Sequence, residues 1–140
     1  MQTGNGQVKE RSGRNDCAMS GLRIGINTTC AVAGGAITHL RNLLPPMLEQ
    51  AGKDRIIVIG DASVRDRLQP PSGVEWVEIS PSRGGLAGRI FRENFEIPRR
   101  LRQLKIDVLF HPGNFVVFRS PVPQVILIHN LAPYLEEVAE

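Results

Sequence analysis

The chain has 140 residues, 41% of them hydrophobic and 22% charged, enough for one domain with a buried core and too apolar for a wholly disordered polypeptide. Its 17 Lys and Arg against 14 Asp and Glu leave a formal charge of +3, short of the concentrated positive charge of a dedicated nucleic-acid binder. Cys17 and Cys30 stand apart, with no CxxC pair and no histidines at zinc-finger spacing, so they read as free thiols of a reducing compartment and argue against a disulfide framework.

Residues 1–21 hold few apolar side chains and many Gly, Asn, Gln, Ser and charged ones, the composition of a disordered amino-terminal tail. The tail contains no apolar run of signal-peptide length, and no later stretch reaches the ~20 apolar residues of a membrane span, which points to the cytoplasm. A first strand is expected over 22–27 (LRIGIN), with Gly25 leaving room for a close neighbour. A loop over 28–33 follows, and Gly34 and Gly35 then open a helix. Unpaired N–H groups and partial positive charge at a helix start suit a phosphate or carboxylate, and a glycine pair lets it reach the backbone; a plain tight turn is the other reading.

Ile37, Leu40, Leu44, Met47, Leu48 and Ala51 mark one buried face of that helix, which Pro45 and Pro46 should kink or split and Gly52 should cap. The branched run at 55–59 predicts a second strand and 62–68 a short helix. The alternating run at 74–79 predicts a third strand, at the sheet edge. A flexible glycine-rich loop is expected over 81–88. After it comes one amphipathic helix over 89–105, bent at Pro98, with Ile90, Ile97, Leu101 and Leu104 on its inner side. Strands four (107–111) and five (124–129) follow, separated by the turn Pro112, Gly113, Asn114 and the apolar loop 115–118.

Alternating strands and helices, with several strands uniformly apolar, predict an α/β fold. The expected form is a doubly wound, Rossmann-like parallel sheet of five strands in the order 3-2-1-4-5, with helices on both faces. Ligands of such sheets bind beyond the carboxyl ends of the strands where the order reverses. The 28–35 loop, the turn at 112–114 and His129 with Asn130 all fall there. A P-loop is excluded, since no Gly-Lys pair followed by Ser or Thr comes after strand one. GxSxG is absent, and a dinucleotide fingerprint is only half met, by Gly34, Gly35 and an acid, Asp61, at the end of strand two.

Four segments taken in order carry a family likeness: 34–45 (GGAITHLRNLLP), Arg92 and Glu93 with 97–102 (IPRRLR), 107–114 (DVLFHPGN) and 125–133 (VILIHNLAP). Over residues 22–140 the chain resembles the amino-terminal domain of family 4 glycosyltransferases, retaining enzymes of the GT-B fold. The resemblance implies transfer of a sugar from a nucleotide-sugar donor to an acceptor, in a cleft between two Rossmann-like domains and with no further cofactor or metal. By it, Gly34 and Gly35 approach the donor phosphates, Gly113 and Asn114 border the cleft, and His129 is the catalytic histidine beside the transferred sugar. Asn130 departs from the family, where relatives carry Asp. The resemblance also implies a second, nucleotide-gripping domain after this one, so the domain is expected to be incomplete at its carboxyl end and inactive alone.

From the residues alone, His129 reads as a hydrogen-bonded structural histidine, His39 as a surface helix residue and His111 as packed or capping. Two other functions remain open: a stand-alone Rossmann-like nucleotide or phosphate-binding module, and a basic interaction protein. The expected partners are the nucleotide-sugar donor and an acceptor that is a sugar, a lipid-linked group or a small molecule. No nucleic acid is expected. The basic run Arg99, Arg100, Arg102 and Lys105 reads as a solvated helix face, or, with Phe91 and Phe95 close by, as a peripheral contact with anionic membrane.

Overall fold

Ile56, Ile57, Val58 and Ile59 form a strand whose side chains are buried on both faces, which requires a sheet covered on both sides. In the computed structural model, which describes residues 21–29 and 34–128, that strand is β2 (Arg55–Gly60). It lies inside a five-stranded sheet with β1 (Arg23–Asn27), β3 (Glu75–Glu78), β4 (Val108–His111) and β5 (Gln124–Ile126). Every pairing is parallel and the order is β3-β2-β1-β4-β5, so the expected Rossmann-like topology holds, its direction reversing between β1 and β4.

Helices cover both faces, and β2 supplies both cores by alternation. Ile56 and Val58 join Ile26 in packing against α1 (Gly34–Gln50) and α2 (Ala62–Leu68), through Ile37, Leu40, Leu44, Val64 and Leu68. Ile57 and Ile59 point the other way, toward Ile97 and Leu101 of α4 (Ile97–Gln103) and toward Ile106, Leu109 and Val117. A Cβ on Gly25 would stand 3.0 Å from Ile106 Cγ2 and 3.2 Å from Leu109 Cδ1, so the glycine in β1 is what lets this second core close over the strand.

Three local expectations are corrected. The first helix does not split at Pro45 and Pro46: α1 runs unbroken through both. The two prolines are exposed, as are Arg41 and Asn42, whose carbonyls lose their helical donors and can take water instead. Gly52, at φ +57, sits in the left-handed region just beyond the end of α1, as expected of a cap.

The glycine-rich stretch is not a free loop throughout, because α3 (Gly85–Phe91) begins inside it. A Cβ on Gly88 would lie 1.7 Å from the Arg83 carbonyl oxygen, so the missing side chain is what allows the preceding backbone to rest on the helix. The helix expected over 89–105 is three pieces: α3, a π-helical turn over Arg92–Glu96, and α4. Pro98 has no N–H to donate and its ring crowds the carbonyl four residues back, and the wider turn just before it relieves both problems. That extra residue rotates the register. Ile90 therefore leaves the inner face and is 53% exposed, while Arg92 turns inward.

Candidate functional site

The carboxyl ends of β1 and β4 are neighbours, and above them the chain gathers polar residues in a position otherwise apolar. Asn27, Thr28, Thr29, Arg92 and His111 are all buried there. Asn27, the last residue of β1, accepts from the Thr29 N–H at 3.1 Å and from Thr29 Oγ1 at 2.8 Å, the local turn that Asn favours. Its Nδ2 donates to Glu93 Oε2 at 3.1 Å, and the Thr29 hydroxyl also meets Glu93 Oε1. Thr28 closes the strand end by donating from its hydroxyl to the Ile59 carbonyl at 2.9 Å.

Arg92 and Glu93 reach this cluster only because the π-helical turn swings them inward. Arg92, 6% exposed, donates to the carbonyls of Ser80 at 3.5 Å and Thr29 at 3.4 Å, both long bonds, and its buried Nε has no partner among the described residues. Its charge also bears on Asp61. Burial opposes ionisation of Asp61, but hydrogen bonds from the Ser63 hydroxyl and the Val64 N–H, together with the Arg92 guanidinium, outweigh it and hold the carboxyl below its ordinary value of 3.8. Asp61 is the N-cap of α2, accepting from Val64 N at 3.0 Å, so the acid that half met the dinucleotide fingerprint is occupied in ending a strand and starting a helix.

His111, at the end of β4 and 3% exposed, is packed and hydrogen-bonded: its Nε2 lies 2.8 Å from Gln124 Oε1. The Gln124 amide is oriented by Val117, whose N–H donates to Oε1 at 2.9 Å while its carbonyl accepts from Nε2 at 3.0 Å. An acceptor therefore faces the ring, and His111 carries its proton on Nε2. Burial depresses the His111 pKa below 6.5, against the smaller opposing pulls of the Gln124 bond and the Glu93 carboxylate. This triangle of His111, Gln124 and Val117 fixes the course of the chain from the turn after β4 back to β5.

The sequence-predicted site residues divide as follows. Gly34 and Gly35 open α1, and Gly35 is exposed with nothing within 4 Å of where a Cβ would stand, so a ligand can reach the backbone there. Gly113 and exposed Asn114 follow β4; a Cβ on Gly113 would also meet nothing within 4 Å. Because β1 and β4 pair, these two loops leave adjacent strands at the reversal of strand order. His39 is half-buried on α1. His129 and Asn130, with residues 30–33 and both cysteines, lie outside the described residues. Sequence reasoning gave no site role to Asn27, Thr29, Glu93 or Gln124. The available signals were the polar triplet Asn27, Thr28, Thr29 closing an apolar strand, and a charged pair inside an apolar-faced helix, five and six residues before a proline.

Fold and polar cluster together define a doubly wound α/β domain of Rossmann-like form whose switch point is lined by buried hydrogen-bonding groups. Comparison of the chain with protein-family models, with curated proteins and with solved structures finds no match. Among the described residues no three His, Cys, Asp or Glu side chains converge as a metal would require, and no helix is long and apolar enough to cross a membrane.

Proposed function

We propose that the chain is the amino-terminal, acceptor-side half of a retaining glycosyltransferase of the GT-B kind, acting on a nucleotide-sugar donor and inactive by itself. The observation that supports this most is the placement, at a single switch point, of an open glycine helix start after β1 and an exposed Gly113–Asn114 turn after β4, over a polar floor tied together by Asn27, Thr29 and Glu93. In this reading the backbone at Gly34 and Gly35 faces the donor phosphates and Gly113 with Asn114 borders the sugar. His129, by resemblance, would stand beside the bond being broken. The occupied carboxylate of Asp61 favours this over a dinucleotide-dependent dehydrogenase, which needs that acid for a ribose.

Magnitudes explain why the half should be weak. A helix terminus is worth about 0.3–1 kcal/mol to an anion at an exposed site, whereas even a millimolar complex needs about 4 kcal/mol. The remaining contacts to the nucleotide would come from a second domain. The test is an NMR titration of the chain with UDP-, GDP- and ADP-sugars. Weak, saturable shifts confined to residues 34–39 and 111–114 are expected with one of them, and a folded sample unmoved by all three would sink the reading. Donor-dependent sugar transfer by the isolated chain would overturn the claim that it is half an enzyme.

A further inference from the structure

The π-helical turn draws Arg92 inward, yet no carboxylate takes up its charge. Buried guanidinium groups are ordinarily held against a negative group, because the cost of removing the charge from water is otherwise unrelieved. Arg92 has no salt bridge among the described residues; it makes only the two long bonds to the Ser80 and Thr29 carbonyls, and its buried Nε meets no acceptor there. The nearby carboxylates are engaged elsewhere. Glu93 bonds to Asn27 and Thr29, and Asp61 to the Ser63 hydroxyl and the Val64 N–H. Arg92 also forms part of the wall of a cleft of about 540 Å³ beyond the carboxyl end of β3, together with Ser80, Ser82, Arg83 and Glu96. Because Gly88 has no side chain, the Arg83 backbone rests on α3, and this brings a second arginine to the same wall.

We propose that this cleft binds a phosphate group, with Arg92 and Arg83 as its cationic partners and the hydroxyls of Ser80 and Ser82 as further donors. A phosphate monoester carries about two negative charges at neutral pH and presents three acceptor oxygens, which suit a pair of guanidinium groups better than the two oxygens and single charge of a carboxylate. Two arginines against the one carboxylate of Glu96 leave the wall positive. The volume falls in the range of small-molecule sites and exceeds what a lone phosphate fills, which favours an ester of a small molecule over the free ion. The proposal rests on Arg92 and the connection from β3 to α3, and not on Gly34, Gly35 or Gly113. Phosphate binding here and donor binding at the switch point can therefore fail separately.

The experiment is an NMR titration of the full chain with glucose 6-phosphate, with inorganic phosphate, and with sodium chloride at matched ionic strength. Saturable shifts over residues 80–92 are expected with both phosphates, at dissociation constants on the order of a millimolar, and not with chloride. Tighter binding of the ester assigns the cleft to a phosphorylated small molecule, and equal binding assigns it to the free ion. Arg83→Ala, at an exposed position, should weaken both about tenfold without disturbing the fold. Arg92→Met puts apolar volume in place of the buried charge and should abolish the shifts; millimolar phosphate should then raise the melting temperature of the parent and not of the variant. Were Arg92 only a strut for the Ser80 and Thr29 carbonyls, phosphate would leave the parent's melting temperature unmoved. Should Arg92→Met not fold, the Arg83 variant decides. Shifts that chloride reproduces, shifts confined to 34–39 and 111–114, no shift at all, or affinity indifferent to Arg83→Ala overturns the proposal.

Discussion

The two faces of the sheet are built by different means. On the α1/α2 face, regular helices present Ile37, Leu40, Leu44, Val64 and Leu68 to the sheet, and apolar packing alone accounts for their position. On the other face the helical layer is broken by a π-helical turn, a guanidinium and a carboxylate are drawn inward, and Phe91 and Phe95 are left in solvent. Local irregularity that costs stability is found where a protein positions polar groups, and here it is confined to one face. The α1/α2 face is built by regular apolar packing, and the α3/α4 face is the one that draws charged groups inward.

The sharpest way to break this comparison is a cavity on the regular face. Leu44→Ala removes a fully buried side chain from the regular core and should cost about 2–5 kcal/mol in chemical denaturation. A loss below 1 kcal/mol would mean that apolar packing does not hold this face. On the irregular face the expected effect is smaller. Gln124→Ala removes the partner of both Val117 backbone groups and strands the buried His111 Nε2–H, at a cost of about 1–3 kcal/mol. Hydrogen exchange should then show faster opening over 112–123 and little change in α1; uniform acceleration would deny that the two faces are separable.

The smallest and most specific effect is in pH. The His111 pKa is depressed in the folded chain, so the unfolded chain takes up its proton first as pH falls. The stability this histidine supplies is complete above pH 6.5 and is lost as pH falls from there through the folded value. Asp61 contributes in a separate window, losing its stabilisation only below about 3.8. The slope of unfolding free energy between pH 5 and 6.5 should therefore be flatter in His111→Gln than in the parent, whatever the variant's stability at neutral pH. Equal slopes would show that His111 is not held neutral by burial.

Much of the fold was legible in the residues. The uniform burial of 56–59, the period of 37–48 and the Asp61 and Gly52 boundaries all follow from local chemistry, and the strand order follows from the handedness of crossovers. The candidate site was legible only in outline, as loops that must leave the sheet near its reversal. Glu93 was not legible as a member because its partner Asn27 lies 66 residues away, and Gln124 because its bonds to Val117 and His111 depend on how the loop between β4 and β5 folds back, which no period or motif encodes.

By itself the sequence determined which segments carry strands, which face of α1 is apolar and that Gly25 must admit a neighbour, since those depend on side-chain type, period and volume. Only the tertiary structure decided that Pro45 and Pro46 remain inside one helix while Pro98 is preceded by a π-helical turn. The water-facing carbonyls of Arg41 and Asn42 can do without a backbone donor, whereas a turn pressed against the sheet must change its winding to accommodate a proline. From that one change in winding come the inward turn of Arg92 and Glu93 and the exposure of Ile90, which no helical period in the sequence predicts.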